Sequence, residues 1–372
     1  MRRLCIVVFG LLLIALMPVV AHDVCEDGEL IVNGACGAAS VADLDAGWTM
    51  IEPGGETMCA HGTPYAYWVH PGARNDLLVF FQGGGGCWDA DTCRDTGSEW
   101  NGFYDSRVSR RDSPANRGGL LDLDHPENPF TDYTVLYIPV CTGDVHMGDL
   151  QATFDDVTVN YNGFVNAATA LEWAYENVPD PDSVYVTGCS AGSPGSIMHT
   201  PYIIEQYPQA QVAQMGDSLS LIITGTTNLV ELWGMDDVLP DWIPAFAELS
   251  SGMYTMAQHY VAVANHYPDY TFSQFNTVRD RVQVFYTLND RNADGDLWTP
   301  LLDKHLQTIH DNAENYRSFT SGGDLHCVTP GGAFYRYAID GVRLRDWVAD
   351  MAAGKAVETL RCADCTRAET VD

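Results

Sequence analysis

Lysine is almost missing from this chain: Lys304 and Lys355 are the only two in 372 residues. Lysine and arginine together number 19 against 50 aspartates and glutamates, leaving a formal net charge of −31. A surface of that sign repels phosphate backbones, anionic bilayers and polyanionic polysaccharides, so nucleic acid and membrane surfaces drop out as partners. The scarce cations are unevenly placed. Arg94, Arg107, Arg110, Arg111 and Arg117 share one segment, either as scattered solvated side chains or as a positive rim beside a site. Ser/Gly linkers, internal repeats and low-complexity tracts are also lacking, so one large domain is expected rather than a string of modules. Beyond Val20 no apolar run is long enough to span a bilayer, and no membrane anchor is expected.

What is present begins with Met1-Arg2-Arg3, an apolar run over 6–16 and a small residue at Ala21. That order of charge, apolar core and small residue predicts a signal peptide over 1–21 and a secreted or periplasmic protein. Losing Arg2 and Arg3 lowers the charge of −31 by two, to −33. Of the 11 cysteines, Cys5 leaves with the leader. The even set that remains reads as disulfides in an exported chain. Cys25 with Cys36 and Cys87 with Cys93 are close enough for local loops. Cys362-Ala363-Asp364-Cys365 lacks the βαβ surroundings of a redox motif. The expected division is a cysteine-containing lead-in over 22–45, a catalytic domain over 46–355 and a tail over 356–372.

Short apolar, β-branched or aromatic runs recur at 65–70, 77–82, 133–140, 183–187 and 271–277. Helical spacing lies between and after them, at 164–173, 197–206, 282–286, 301–309 and 342–351. Alternation of this kind predicts an α/β fold, a mostly parallel central sheet with helices on both faces.

Two motifs sit in that frame. Val184-Tyr185-Val186-Thr187 runs straight into Gly188-Cys189-Ser190-Ala191-Gly192, and Pro194-Gly195-Ser196-Ile197 can open a helix after it. Strand, sharp turn and helix are what a G-x-S-x-G nucleophile needs, which makes Ser190 the candidate. A serine alone is a poor nucleophile; it requires a base and donors for the developing oxyanion. Upstream, the apolar strand 77–82 ends in Gly83-Gly84-Gly85-Gly86-Cys87-Trp88. Consecutive glycines leave backbone N–H groups free to converge on one point. No Lys-Ser/Thr follows, so a phosphate cradle is disfavoured.

Together these motifs resemble the pectin acetylesterase/Notum family of α/β-hydrolases. Tyr137-Ile138-Pro139, Cys141-Thr142-Gly143-Asp144 and Gly163-Phe164-Val165-Asn166 are similar to it more loosely. The resemblance spans about Trp48 to Trp347. It implies an α/β-hydrolase fold and cleavage of carboxylic esters by a Ser-Asp-His triad. By position it makes Ser190 the nucleophile and Gly84, Gly85 and Ala191 the oxyanion donors. Plant members carry Trp where this chain has Gly86, so Trp88 stands in as the candidate substrate-binding aromatic.

Chain order in α/β-hydrolases is nucleophile, acid, base. His61, His70, His125, His146 and His199 are therefore too early, and His259 and His266 precede both candidate acids. His305 and His310 fall in a helical pattern and read as surface residues. His326, in Ser321-Gly322-Gly323-Asp324-Leu325-His326-Cys327, sits on a loop free to reach Ser190 and matches the family's His-Cys pair. For the acid, Asp280 follows the strand 271–277 and precedes a helix, the family's setting. Asp290 is the rival. Asp290, Asn292, Asp294 and Asp296 alternate like the first half of a calcium loop, although Leu301 replaces the closing Glu; a solvated turn is the default, with a structural calcium as the sharper alternative. No catalytic metal or other cofactor is required.

The expected partner is an ester substrate such as an acylated glycan. A lipid-ester or thioester hydrolase would use the same triad, and a non-catalytic binding protein on a hydrolase scaffold is the rival from another class. Finally, Cys189 adjoins Ser190 and Cys327 adjoins His326. The two could bond directly, pair elsewhere, or simply be buried as small apolar residues.

Overall fold

The computed structural model describes residues 25, 30–37, 39–222, 228–249, 254–288 and 293–371; the leader expected over 1–21 lies outside them. The strands, in chain order, begin with β1 (Leu30–Val32), β2 (Ala35–Gly37), β3 (Thr49–Glu52), β4 (Tyr67–His70), β5 (Asp76–Phe81) and β6 (Thr134–Ile138). Next come β7 (Leu150–Phe154), β8 (Val157–Tyr161), β9 (Ser183–Cys189), β10 (Gln211–Asp217) and β11 (Thr271–Thr277). The last are β12 (Tyr316–Ser321), β13 (Tyr337–Ile339), β14 (Val342–Arg343), β15 (Leu360–Arg361) and β16 (Glu369–Thr370).

Eleven of these make one sheet in the order β15-β12-β11-β10-β9-β5-β6-β4-β3-β1-β2. From β15 to β6 every pairing is parallel; from β6 to β2 every pairing is antiparallel. The expected mostly parallel sheet is therefore present. Its central strands are covered on both faces, which is why β5 reads Asp-Leu-Leu-Val-Phe-Phe with all six residues buried. Alternate residues go to opposite cores. Leu77, Val79 and Phe81 face one, with Val184 and Val186 of β9; Leu78 and Phe80 face the other, with Tyr185.

Helices Gly163–Asn177, Gly192–Gln206, Met256–His266 and Gly295–His310 feed the first core. In Gly163–Asn177 the buried residues Gly163, Asn166, Ala167, Ala170, Leu171 and Ala174, with Trp173 beside them, follow the three-and-four spacing of a one-faced helix. Helix Leu344–Ala352 covers the other core with Leu344, Trp347, Val348 and Met351, beside Leu120 and Leu121 of the 3-10 turn Gly119–Leu121 and Phe130 from irregular chain.

Strands β10 and β12 escape a search for apolar runs because they carry polar residues into the core. Gln214 of β10 donates to Ser196 Oγ at 2.8 Å and Tyr260 OH at 3.1 Å. Gln274 of β11 accepts from Tyr316 OH of β12 at 2.7 Å and lies 3.0 Å from His305 Nε2. Buried polar groups are tolerated when bonded in this way. His305 is accordingly a core residue, not the surface histidine its helical setting suggested; it is 7% exposed. Residues of the lead-in supply β1 and β2 at one sheet edge, and the tail supplies β15 at the other. The ten cysteines beyond Cys5 pair as Cys25–Cys36, Cys59–Cys141, Cys87–Cys93, Cys189–Cys327 and Cys362–Cys365.

Candidate active site

Parallel strands bring their C-terminal ends to one rim, where sites in open α/β sheets form. Here β5 ends in the glycine loop, β9 in Ser190, β10 in Asp217, β11 just before Asp280 and β12 just before the His326 loop. The structure thus gathers at one rim residues scattered over some 240 positions of sequence.

At the end of β9 the chain reverses through Ser190, whose φ of 54 lies in the left-handed region. Its N–H donates to the Asp217 carbonyl at 2.8 Å, and its own carbonyl accepts from Ser193 N–H at 2.8 Å. The flanking glycines are needed for space. A Cβ on Gly188 would lie 2.2 Å from the Gly192 carbonyl oxygen, and one on Gly192 would lie 2.0 Å from that of Phe81. Ala191 caps helix Gly192–Gln206, so its N–H is among those a helix leaves unpaired at its start.

The glycine loop lies against this turn. A Cβ on Gly83 would come within 2.7 Å of Ser190 Cβ. Gly84 accepts from Asp105 N–H at 2.8 Å and Gly86 donates to Phe103 O at 3.2 Å, while Gly84 and Gly85 donate to no described residue. Gly85 has φ 76, and a side chain there would strike the Phe103 carbonyl. Behind the loop, His146 Nε2 lies 2.8 Å from Gln82 O, and His199 Nε2 lies 2.9 Å from His146 O. Burial holds both imidazoles neutral, at about 4 for His146 and about 3 for His199. Burial likewise pushes the Asp105 carboxyl, next to Gly84, up to about 7, with Asp112 adding to the effect.

Asp280 is fully buried, and its Oδ2 lies 2.8 Å from His326 Nδ1. Its Oδ1 accepts the Val282 and Gln283 N–H groups at 2.9 and 3.1 Å, at the start of helix Arg281–Leu288. Gln283 Nε2 adds a donor to Oδ2 at 3.1 Å. The loop bearing His326 is tied to β9 by Cys189–Cys327, whose Cα atoms are 5.5 Å apart. That bond settles the alternatives left open for the two cysteines. An imidazole with Nδ1 engaged by a buried carboxylate keeps Nε2 to take a proton from a hydroxyl.

Beside Ser190 opens a pocket of about 330 Å³. Its walls are mostly apolar and include Trp88, Leu219, Ile222, Leu229, Trp233 and Leu288. Trp88 is in the wall as expected, edge-on to Phe103 and Tyr286. The wall after β10 carried no sequence signal beyond hydrophobicity, and neither did Asp217. Of the four candidate calcium ligands, Asp290 and Asn292 lie outside the described residues. Asp294 caps helix Gly295–His310 by accepting from Asp296 N–H, and Asp296 pairs with Arg279 at 2.9 Å. In the arginine-rich segment, Arg94 pairs with Asp156 and Arg107 with Asp95, which neutralises part of the rim.

Comparison with known proteins places the chain beside carboxylic-ester hydrolases. A pectinacetylesterase family model matches residues 40–222, which takes in the glycine loop and the Ser190 turn. Pectin acetylesterase 4 of Arabidopsis thaliana is 26% identical over 157 residues, 41% of this chain. Pectin acetylesterase 11 of the same plant is 26% identical over 147 residues, 38% of this chain. Each match spans 37% of the plant protein's length. Among solved structures, the Wnt deacylase Notum from Drosophila superposes with a TM-score of 0.65 at 16% identity, covering 83% of this chain and 94% of that one. The last likeness establishes the fold as that of an α/β-hydrolase.

Proposed function

Starting from a chain that resembles the pectin acetylesterase/Notum family of α/β-hydrolases, we propose that it is a secreted serine carboxylic-ester hydrolase. Ser190 is the nucleophile, His326 the base, and Asp280 the carboxylate that orients the imidazole. One observation carries this reading: a histidine bonded to a buried aspartate stands on a loop disulfide-linked to the residue before the strained serine. Ser190 Oγ attacks the ester carbonyl while its proton passes to His326 Nε2. The oxyanion is met by the N–H groups of Gly84, Gly85 and Ala191. Collapse expels the alcohol, which takes the proton from His326, and leaves an acyl group on Ser190. Water, deprotonated by His326, releases the acid and restores the serine. This sequence requires no cofactor.

The pocket beside Ser190 receives the acyl group. At about 330 Å³ it is roughly twice the ~150 Å³ apolar cavity that takes up benzene, more than an acetyl group fills. Its apolar lining therefore also supports a longer acyl chain, as in a lipid-ester substrate. On the alcohol side, the charge of −31 disfavours a polyanionic chain such as de-esterified pectin and favours a neutral acylated glycan.

Fluorophosphonate labelling separates an esterase from a non-catalytic binding protein on the same scaffold. Aryl esters from acetyl to dodecanoyl, followed by acid release from acylated polysaccharides, then define the substrate. Ser190→Ala is expected to abolish labelling and ester cleavage with the fold intact. More than a trace of activity in clean Ser190→Ala protein would overturn the assignment.

A further inference from the structure

Asp217 is a fully buried carboxylate that the triad does not use. Burying a charge is unfavourable unless it is paired or hydrogen-bonded, so where its hydrogen bonds go is informative. Oδ2 accepts three donors from one short stretch: Val328 N–H at 2.9 Å, Thr329 N–H at 2.8 Å and Thr329 Oγ1 at 2.6 Å. Oδ1 accepts from Ser218 Oγ at 2.6 Å. Its main-chain carbonyl takes the Ser190 N–H at 2.8 Å. One residue at the end of β10 thus touches both the nucleophile turn and the loop immediately after His326. In register, Asp217 pairs with Cys189, and the carboxylate lies beside the Cys189–Cys327 disulfide.

We propose that Asp217 is a positioning residue: its carbonyl fixes the nucleophile turn and its carboxylate fixes the backbone that carries His326. The proposal rests on the serine-hydrolase reading above. Asp280 sets the orientation of the imidazole through Nδ1; Asp217 sets where the loop stands. The rest of the loop is held from elsewhere. Thr277 Oγ1 donates to Leu325 O at 2.8 Å, Leu120 N–H to Thr329 O at 2.8 Å, and Gly118 N–H to Pro330 O at 3.0 Å. Among the described residues, Asp217 alone hydrogen-bonds to both the loop and the Ser190 turn. It is not a second triad acid, because His326 Nδ1 is engaged by Asp280. Cys327 stands at φ 64, a conformation that a neighbouring anchor must maintain.

The test compares Asp217→Ala, Asp217→Asn and Thr329→Val in the full disulfide-bonded protein, with kcat and KM for an aryl acetate and circular dichroism for the fold. Asp217→Ala should lower kcat by about 10²-fold, the cost of misplacing reacting groups by about 1 Å, and leave KM nearly unchanged. Asp217→Asn keeps an acceptor oxygen for residues 328 and 329 and should recover most of the loss. Thr329→Val removes one of the three donors and should lower kcat by a few-fold. Unchanged kcat in folded Asp217→Ala overturns the proposal, as does an Asp217→Asn variant no better than alanine. If the alanine variant does not fold, unchanged kcat in Thr329→Val has the same force. Activity surviving in Ser190→Ala would instead sink the serine-hydrolase reading, and the two failures are told apart by which variant shows them.

Discussion

At Ser190 the backbone is held at φ 54, a conformation that costs a non-glycine residue about 1–3 kcal/mol. The neighbouring glycines make the turn feasible by letting main chains approach closer than any side chain allows. Opposite it, Asp280 accepts three hydrogen bonds from residues 282 and 283 besides the one from His326. Asp280→Asn leaves that shape nearly intact but presents an amide to His326 Nδ1 and favours the wrong tautomer. Activity should fall by about 10⁴-fold, as it does for the corresponding change in other triads. Asp290→Asn should leave kcat within a few-fold. The opposite pattern in the two variants would show that the acid had been misassigned.

Among the elements, the loops rather than the strands carry the candidate site, and each loop is clamped at a defined place. The glycine loop is backed by His146 on Gln82 O and bridged to Asp105 and Phe103. The His326 loop is joined to β9 by Cys189–Cys327, which closes 138 positions of sequence. Replacing both cysteines by alanine should lower unfolding free energy by about 3–5 kcal/mol if chain entropy dominates. It should also reduce kcat by roughly tenfold through looser placement of the imidazole. Removing Cys25–Cys36, at the far sheet edge, should leave kcat within a few-fold. Denaturant midpoints and kcat together check this, and equal kcat losses in the two double variants would deny the Cys189–Cys327 link any special role.

For the molecule as a whole, buried titratable groups set the response to pH. Burial lowers His146 to about 4 and His199, His259 and His305 to about 3. In the unfolded chain these imidazoles protonate near 6.5. Above that pH they are neutral in both states and contribute nothing. Below it the unfolded state binds more protons, each such group removing up to about 1.4 kcal/mol per pH unit. Asp105, raised to about 7, and Asp144, raised to about 6, act in the opposite sense, as does Asp217, raised by burial. Those carboxyls bind protons in the folded state first and offset part of the loss. Burial lowers His70 and His310 as well, so six histidines stand against three carboxyls and stability should decline from pH 6.5 to 4.5. His305→Gln, which keeps a donor for Gln274, should flatten that decline by about one proton's worth. Thermal unfolding across the pH range provides the measurement, and an unchanged slope would count against the buried, neutral His305.

Local pattern determined a good deal of this. Unbroken apolar runs in β5, β6 and β9 marked strands buried on both faces. G-x-S-x-G after one of them and four glycines after another mark turns where only a small residue fits, so Ser190 and the glycine loop were legible as candidate site elements. His326 emerged by chain order and its neighbour Cys327. Tertiary structure alone decided the rest, since those features depend on residues far apart in sequence meeting at one rim. Strands β10 and β12 were hidden because their polar residues find partners only in the folded core, Gln214 in Ser196 and Tyr260 and Tyr316 in Gln274. The partner of Cys189 depended on how two loops 138 positions apart were brought together by parallel pairing. Asp217 had no motif at all: a carboxylate at the end of a strand gains a role only when the sheet sets Ser190 on one side of it and the His326 loop on the other.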